Sequence, residues 1–450
     1  MLAELSAAVR DGRVHPKELV TEALRRIEAY DGAIGSVVAL RAEEARQDAE
    51  HSSREGPLAG IPFLVKDLAD CAGLPTTYGS KLYADAPPCA ADGVQTARLR
   101  AAGAIPIGKS NTPEFGWIGY TSNLVFGTTH NPWNLERSPG GSSGGSSAAL
   151  AAGLVPIATA SDGGGSVRIP ASLCGLVGYK PTIGGIGRDG SPRWMDFSTS
   201  GVLGYTVADV VAEAAVYLGP NDGDVLAVPA GSIALAPVRP RRALLCRSLR
   251  GAVDPVIERD LLAAAETIDA LGLGVEEIDN PIPDAFMGWV VSGMAEMAQS
   301  LAGQRDRWDD LDPGLRGMLQ YGESISLGAY IAARRQRYAA CAAIDRLLGT
   351  DTVLLTPTHN AQSWCAAGPW PMSVNGVETP GVAVNTNDFN FTGHPAVSVP
   401  IGRDEHGVPF GMQVVAPRWF DGLALGVARS LEEARPWPLV ADGYDPFPVP

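Results

Sequence analysis

SPGGSSGGSSAALAAGLVPIATASDGGGSVRIPASLCGLVGYKPT, residues Ser138–Thr182, contains two clusters of serine embedded in glycine. The first cluster is Gly140–Ser147, the second is Gly163–Ser166, and a short apolar segment lies between them. Glycine has no Cβ, so its backbone can reach positive φ, approach a ligand closely and present successive N–H groups. One such cluster is typical of a flexible loop. Two clusters on either side of a helix-sized segment indicate a functional site.

Three motifs in this stretch, and one upstream of it, resemble the amidase signature hydrolases. They are GGSSGGS (140–146), DGGGSVRIP (162–170) and CGLVGYKPT (174–182), preceded by Val65-Lys66-Asp67. Their order and spacing are those of the family, and four ordered motifs are hard to attribute to chance. The resemblance is clear over about residues 56–215.

The remainder of the chain resembles the same family more weakly. Its C-terminal part contains FTGHPAVSVP (391–400) and GVPFGMQVV (407–415). The resemblance implies a single amidase domain over residues 1–450, in which residues 216–450 complete the sheet and the substrate pocket. It overrides the length of the chain, which alone favours two or three domains.

Apolar runs and helical periodicity predict an α/β layer fold. Helices are predicted over 2–10, 16–30, 43–50, 96–102, 146–153, 255–272 and 421–434. Strands are predicted over 36–40, 57–65, 104–107, 155–160, 176–179, 243–246, 353–355, 396–400 and 410–415. This alternation indicates a large mixed, mostly parallel twisted sheet covered by helices on both faces, which is also what the resemblance implies.

The composition argues against several classes of partner. The chain has 450 residues, of which 45% are hydrophobic and 19% charged, and its net charge is −15. Nucleic-acid binding requires Lys and Arg to neutralise phosphates, so no nucleic-acid partner is expected, and the acidic balance also disfavours a basic membrane-surface helix. No window of about 18 apolar residues predicts a membrane span, and the N-terminus lacks the pattern of a signal peptide.

The cysteines favour a reducing compartment. They show no C-x-x-C spacing, so neither a metal site nor a disulfide framework is expected, and a cytoplasmic location is the default. The six positions are Cys71, Cys89, Cys174, Cys246, Cys341 and Cys365.

The family resemblance assigns catalytic roles to three residues. Ser166 is the nucleophile, Ser142 relays its proton and Lys66 is the base. The peptide bond before Ser142 is expected to be cis. A serine hydroxyl is a weak nucleophile until a base takes its proton. A lysine can act as that base only when neutral, so its pKa of about 10.4 must fall toward roughly 7–8, and the apolar run before Lys66 is consistent with burial that would achieve this.

The same resemblance places an oxyanion hole in the second glycine cluster. Amide hydrolysis passes through a tetrahedral oxyanion, which fixed N–H donors stabilise. Asp162 and Arg168 are expected to pair and hold this loop, and Ser143 is expected to support Ser142 by hydrogen bonding. The candidate oxyanion donors are the backbone N–H groups of Gly163, Gly164, Gly165 and Ser166.

An apolar or aryl substrate is expected because aromatic residues are frequent around these motifs. The candidates for the pocket are Trp117, Tyr120, Phe126 and Trp194, with Phe197, Trp364 and Trp370 as further candidates. We therefore expect a small-molecule aryl or alkyl amide as substrate, cleaved through an acyl-enzyme, with a carbamate (urethane) as the alternative. Neither a cofactor nor a metal is expected, and the sequence leaves a monomer or a homodimer open.

Two further motif matches lack their structural context. Gly103–Ser110 matches the phosphate-binding pattern GxxxxGK[ST], but a helix precedes it and its variable positions read as a strand, the reverse of a phosphate loop. Gly141–Gly145 matches the nucleophile elbow G-x-S-x-G, with Ser143 as the nucleophile. That reading needs a strand before the serine and a histidine late in the chain, for which His359, His394 and His406 are available.

Two other functions remain as alternatives. The ammonia-releasing component of glutamyl-tRNA amidotransferase, a member of the same family, acts on glutamine and needs a partner chain. It typically carries an Asp-x-Phe-Thr run, which the segment Asn387–Thr392 (NDFNFT) does not match cleanly. A non-catalytic binding protein on this fold is disfavoured by the intact set of Lys66, Ser142 and Ser166.

Overall fold

A computed structural model describes residues 1–190, 194, 196–280 and 282–449 of the chain. Its α-helices are α1 Leu2–Arg10, α2 Pro16–Ile34, α3 Ala42–Glu50, α4 Val94–Ala101, α5 Gly144–Ala151, α6 Arg168–Cys174, α7 Val207–Tyr217, α8 Pro255–Ala270, α9 Phe286–Ser300, α10 Pro313–Ser324, α11 Leu327–Leu348, α12 Asn387–Phe391 and α13 Asp421–Ala434. Its strands are β1 Val37–Leu40, β2 Pro62–Lys66, β3 Ile105–Ser110, β4 Ser122–Asn123, β5 Gly127–Thr128, β6 Ile157–Ala158, β7 Ala160–Asp162, β8 Val177–Lys180, β9 Thr199–Gly204, β10 Arg242–Leu245, β11 Val275–Glu277, β12 Thr352–Pro357, β13 Ser373–Val374, β14 Val377–Glu378, β15 Ala396–Arg403 and β16 Pro409–Val415. Short 3₁₀ segments span Glu114–Gly116 and Ala302–Asp310.

The larger sheet joins the glycine–serine stretch to the C-terminal part of the chain. Its strand order is β11-β10-β12-β16-β15-β8-β9-β7. At its centre, Val397 of β15 lies opposite Val414 of β16 on one side and Tyr179 of β8 on the other. Helices flank the sheet, so its central strands are buried and read as nearly continuous apolar runs. Strand β7 leads directly into the second glycine cluster.

The mixed α/β class is confirmed, but fewer strands are parallel than the sequence predicted. In the described part of the larger sheet, β10 is parallel to β11 and to β12, whereas the other neighbouring pairs are antiparallel. For β15 and β16 the reason is the short 404–408 connection between them, since parallel neighbours need a crossover of a dozen or more residues. Strand β10, helix α8 and strand β11 form a parallel crossover, although β11 was not among the predicted strands.

The smaller sheet fixes the position of Lys66. Its order is β1-β3-β2-β6, and β2 runs parallel to both β3 and β6. All five residues of β2 are buried, so this strand is fixed from both faces. Lys66 is its last residue, and its side chain is therefore presented from a rigid strand end.

Helix α6 packs closely on the larger sheet because Gly178 of β8 has no side chain. A Cβ at Gly178 would lie 2.5 Å from the Cβ of Ala171 and 3.0 Å from the carbonyl oxygen of Val167. Ser166 precedes α6 by two residues. The close approach of helix and strand therefore fixes Ser166 relative to the sheet.

Most predicted elements are present within a few residues of their predicted limits. The clearest omission is the helical region α9–α11, residues 286–348, for which the sequence predicted no helix. Helices α6 and α7 and strand β9 were likewise not predicted. None of the helices in the described ranges is long and apolar enough to cross a membrane.

We predict that Gly178→Ala lowers the stability of the protein and its activity together. The added methyl group overpacks the α6–β8 contact, which typically costs about 1–3 kcal/mol. Thermal unfolding and hydrolysis assays on the same preparation would check this. Gly32→Ala is the matched control, because Gly32 lies exposed in α2 and a Cβ added there would have nothing within 4 Å, and it should be neutral or stabilising by up to about 1 kcal/mol. An equal effect of both variants would contradict the packing account.

Candidate active site

The side chain of Lys66 ends among three serine hydroxyls. Its Nζ lies 2.8 Å from Ser142 Oγ, 2.8 Å from Ser143 Oγ and 3.2 Å from Ser161 Oγ. The side chain is fully enclosed, with 1% relative exposure. The backbone N–H of Lys66 donates to Thr159 Oγ1, which ties the end of β2 to the segment after β6. Ser161 was not among the predicted site residues.

Burial lowers the pKa of Lys66 to about 7. Removal from water disfavours the charged amine, and the nearby carboxylate of Asp162 opposes this shift only in part. Near neutral pH, a large share of Lys66 is therefore neutral and carries a lone pair that can accept a proton.

The amine of Lys66 is in hydrogen-bond contact with all three serine hydroxyls. A neutral amine has two N–H donors and one lone pair. The Ser143 hydroxyl donates to the carbonyl oxygen of Ser161 at 3.3 Å, so it accepts from Lys66. In the neutral amine, one N–H directed to Ser143 and one directed to Ser161 leave a lone pair beside Ser142 Oγ, which lies 2.8 Å away. Ser143 thus orients the lysine, and the expected hydrogen bond from Ser143 to Ser142 is not among the contacts of the described residues.

Ser166 and Ser142 line the same cavity. Ser166 lies in the turn between β7 and α6, and Ser142 lies just before α5, after a cis peptide bond from Gly141. Among the described residues, the Ser166 hydroxyl makes no hydrogen bond to a protein group, so it is available to a molecule in the cavity. The backbone carbonyl of Ser166 accepts the N–H of Ser143 at 3.2 Å, which joins the two glycine–serine clusters.

A buried ion pair holds the second glycine cluster. Arg168 donates to both carboxylate oxygens of Asp162, at 3.0 and 2.9 Å, and neither side chain is exposed. Asn390 of α12 donates to the same carboxylate at 2.9 Å. The guanidinium contributes to a pKa of Asp162 well below its usual range, although burial alone would raise it. The turn that carries Ser166 is therefore tied to the C-terminal part of the chain.

Gly165 is not an oxyanion donor, which corrects the prediction from the sequence. Its N–H already donates to Asp162 Oδ1 at 2.6 Å. The N–H groups of Gly163, Gly164 and Ser166 donate to no other protein group in the described part of the chain. These three residues line the cavity beside Ser142, so they are the available donors.

The cavity next to these serines has a volume of about 410 Å³ and is mainly apolar. None of the residues described along its wall is an Asp, Glu, Lys or Arg. Helix α9 supplies much of one wall, although the sequence predicted no helix there. The tryptophans and methionines that line the cavity are Trp117, Trp194, Trp289, Trp370, Met287, Met294, Met318 and Met372.

Two of the four main pocket candidates line this cavity and two do not. Trp117 and Trp194 lie on its wall, as does Trp370. Tyr120 does not line it, because its ring packs behind Gly368, where a Cβ would lie 2.7 Å from the ring. Phe126 lies in the exposed connection between β4 and β5, with 38% relative exposure.

Two of the further aromatic candidates are core residues. Phe197 is fully buried in a hydrophobic cluster with Phe391, and the two ring centroids lie 5.7 Å apart. Trp364 is buried against His359, at 5.9 Å between ring centroids. Neither ring reaches the cavity beside Ser142.

The phosphate-loop reading is excluded by the position of its lysine. Residues 105–110 form strand β3, and Lys109 is buried. Its Nζ donates to Thr76 Oγ1 at 2.9 Å and pairs with Asp67 at 3.3 Å. The amine is therefore used inside the protein and does not face a phosphate site.

The α/β-hydrolase reading is excluded by the positions of the histidines. His359 contacts Ser172 and the carbonyl oxygen of Ala361. His394 contacts Thr392 and Asp345, and His406 contacts Arg137. None of the three contacts Ser143, which is buried beside Lys66 and lacks a preceding strand.

Asp388, the acidic residue of the segment compared with the amidotransferase motif, is not available to a substrate. It is fully buried and accepts two hydrogen bonds from Arg250, at 2.7 and 3.1 Å. In the ranges that the structure describes, no group of three or more His, Cys, Asp or Glu residues is arranged to hold a metal ion.

Comparisons with known proteins agree on one family. The family described as Amidase matches residues 18–425 of the chain. An acylamidase from Rhodococcus erythropolis is 33% identical over an alignment of 458 positions, gaps included, which covers 96% of this chain and 95% of that protein. A 1-carboxybiuret hydrolase component from a Pseudomonas species is 31% identical over 453 residues, covering 96% of this chain and 97% of that protein. A glutamyl-tRNA(Gln) amidotransferase component from a Synechococcus species is 34% identical over an alignment of 490 positions, gaps included, which covers 96% of each chain.

A solved structure supports the same family. The crystal structure of a bacterial aryl acylamidase of the amidase signature family matches this fold with a TM-score of 0.90. The two chains are 27% identical, and the match covers 97% of this chain and 96% of the other.

We predict that Asp162→Asn destabilises the protein by about 3–5 kcal/mol, because it leaves Arg168 charged and buried without its partner. Urea unfolding would measure the change in free energy. Glu323→Gln is the control, since it removes an ion pair with Arg305 in which both side chains are about half exposed, and such pairs contribute about 0–1 kcal/mol. A loss below about 1 kcal/mol for Asp162→Asn would contradict the role assigned to the buried pair.

Proposed function

Because this chain belongs to the amidase signature family of hydrolases, which act on carbon–nitrogen bonds other than peptide bonds, we propose that it hydrolyses aryl or alkyl amides. Ser166 is the nucleophile, Ser142 the proton relay and Lys66 the base. The observation that supports this assignment most strongly is the buried Lys66 amine, 2.8 Å from Ser142, with Ser142 and Ser166 on the same cavity.

Acylation begins when Ser166 Oγ attacks the amide carbonyl carbon. The Ser166 proton passes to Ser142 Oγ, whose own proton passes to the lone pair of Lys66. The carbonyl oxygen becomes an oxyanion that the N–H groups of Gly163, Gly164 and Ser166 stabilise, each such donor being worth about 3 kcal/mol.

The tetrahedral intermediate collapses by breaking the carbon–nitrogen bond. The protonated Lys66 returns a proton through Ser142 to the leaving nitrogen, so the amine departs neutral and an ester on Ser166 remains. A water molecule then attacks this ester, and the same relay takes its proton. The products are the carboxylic acid and the free enzyme.

The character of the cavity supports an apolar substrate. Its described wall carries aromatic rings and flexible methionines and no charged side chain, and such walls gain energy by burying apolar surface. Glutamine would bring a charged amino group and a charged carboxylate into this space without a counter-charge. The amidotransferase alternative is therefore disfavoured for this chain, and Asp388, bound by Arg250, does not supply the missing charge.

The carbamate alternative uses the same residues. An aryl carbamate presents the same carbonyl carbon to Ser166, and its leaving group is protonated by the same relay. The ratio of kcat/KM for a matched p-nitroanilide and aryl carbamate ranks the two substrates, and production of ammonia from free glutamine is the assay for the amidotransferase reading.

We predict that Ser166→Ala lowers kcat by at least about 10³-fold on both the anilide and the carbamate, because no nucleophile remains. Lys66→Ala should give a similar loss, since general-base removal typically costs about 10²–10⁴-fold. Release of p-nitroaniline, measured on variants shown to be folded, checks both values.

Ser147→Ala is the matched control for Ser166→Ala. Ser147 is buried in the first glycine–serine cluster, and its hydroxyl has no hydrogen-bond partner among the described residues. Its activity should stay within about twofold of wild type, since no interaction is removed. Substantial activity in Ser166→Ala would overturn the proposed nucleophile.

We predict that kcat/KM falls as the pH decreases through about 7. Lys66 works as a base only when neutral, and its pKa is lowered to about 7 by burial. Below this pH it takes up a proton and loses the lone pair, so kcat/KM should be about tenfold lower at pH 6 than on the alkaline plateau. The pH–rate profile measures this directly.

Lys180 provides the control for this profile. It is equally buried, and its pKa is also lowered to about 7, but its Nζ donates to the carbonyl oxygen of Pro181 and does not contact Ser142. Folded Lys180→Met enzyme should keep the apparent pKa of the wild type. A profile that stays flat down to about pH 5.5 in the wild type would contradict a neutral lysine base.

A further inference from the structure

The Gly163–Gly164 peptide unit and the Gly164–Gly165 peptide unit are held by different numbers of hydrogen bonds. The carbonyl oxygen of Gly164 accepts from Thr386 Oγ1 at 2.6 Å, and the N–H of Gly165, in the same peptide unit, donates to Asp162 at 2.6 Å. That unit is fixed at both ends. The preceding unit, which contains the carbonyl of Gly163 and the N–H of Gly164, is held only at its oxygen among the described contacts. The donor is the indole Nε1 of Trp289, at 2.9 Å.

Trp289 therefore determines where the N–H of Gly164 points. A trans peptide unit is planar, and its C=O and N–H point in opposite directions. Fixing the carbonyl oxygen of Gly163 on Trp289 directs the N–H of Gly164 away from the indole. That N–H is one of the three available oxyanion donors of the cavity.

Glycines on either side leave this peptide unit with little other restraint on its orientation. Glycine populates positive and negative φ about equally, so a peptide unit between Gly163 and Gly164 can rotate with little steric resistance. The indole ring also lies directly against Gly164, where a Cβ would be 2.4 Å from Cζ2 of Trp289. A side chain at position 164 could not restrict the rotation while Trp289 is present.

The same indole is part of the substrate cavity. Its ring centroid lies 5.1 Å from that of Trp194 and 5.9 Å from that of Phe286, and all three line the cavity. A substrate group that packs on this wall contacts Trp289, whose indole N–H is bonded to the peptide unit that carries the Gly164 N–H. Contact with an apolar substrate and stabilisation of the transition state are thereby linked through one side chain.

We propose that Trp289 is a positioning residue that holds the N–H of Gly164 in the orientation required by the oxyanion. This inference rests on the proposed function, because it requires a tetrahedral intermediate on Ser166. Trp289 acts through the loop and need not touch the reacting atoms. Loss of its N–H should therefore lower kcat and weaken the binding of tetrahedral adducts, beyond the change in KM that the loss of a wall residue brings.

The test compares Trp289→Phe with Trp117→Phe on an aryl anilide. Both changes remove part of a ring from the cavity wall, but in the described part of the chain the indole N–H of Trp117 has no acceptor. We expect Trp289→Phe to lower kcat by about tenfold or more, as the partial loss of an oxyanion donor would, with a change in KM no larger than that of Trp117→Phe. Trp117→Phe should act mainly on KM. Equal losses of kcat in the two variants, or wild-type kcat in Trp289→Phe, would overturn the proposal.

An aryl trifluoromethyl ketone provides the second readout, because it forms a tetrahedral adduct with the nucleophilic serine. Its inhibition constant should rise in Trp289→Phe by about the same factor as kcat falls. If Trp289→Phe does not fold, β-(3-benzothienyl)alanine at position 289 keeps the bicyclic shape and lacks the N–H donor, and the same two losses are expected. Wild-type values for this substitution would overturn the proposal.

The outcomes separate this inference from the proposed function. If Ser166→Ala stays active or the ketone forms no adduct with the wild type, the proposed function fails. If Ser166→Ala is inactive and the wild-type adduct forms, but neither change at Trp289 affects kcat or adduct binding, only the role of Trp289 fails.

Discussion

The burial of the Lys66 amine among hydroxyl groups is the constraint on which the site depends. Desolvation brings the pKa of this lysine to about 7, as the proposed transfer of a proton from Ser142 requires. The carboxylate of Asp162 works against this shift by favouring the charged amine. Arg168 pairs with Asp162 and offsets that charge, so the ion pair that holds the turn carrying Ser166 also helps Lys66 to remain neutral.

The Asp162–Arg168 pair explains why residues distant in sequence are needed at one site. The guanidinium reaches the carbonyl oxygen of Thr386 at 3.0 Å and also donates to Asn390 and Gln413. A buried pair of this kind is stable only when its remaining donors and acceptors are satisfied. The C-terminal part of the chain thus completes both the larger sheet and the polar core of the site.

The sequence was most informative where chemistry is local. The positions of Lys66, Ser142 and Ser166 follow from motifs, and the buried run before Lys66 indicated the environment of its amine. The use of the Gly165 N–H could also have been anticipated, since an aspartate often accepts N–H groups two or three residues ahead, as at a helix N-cap. The share of parallel strands could not have been anticipated from the sequence, because it depends on which strands a hairpin brings together.

The cavity wall was much harder to predict. Helix α9 is apolar on most of its surface because the core and the cavity lie on different sides of it, so its sequence lacks a clear amphipathic pattern. Aromatic residues close to the motifs were poor guides, since Tyr120 and Phe126 lie outside the cavity while Trp289 comes from a segment without a motif. The contact of Trp289 with Gly163 and Gly164 is a property of the tertiary structure.

The most direct test of the account is to identify the residue that becomes covalently modified during reaction. The enzyme would be treated with a fluorophosphonate or a slowly turned-over aryl carbamate, and the adduct located by intact-protein and peptide mass spectrometry. The account predicts one adduct per chain, on Ser166, formed more slowly below about pH 7, where Lys66 is protonated. An adduct on Ser142 or Ser143, or modification at an unchanged rate in Ser166→Ala, would contradict it.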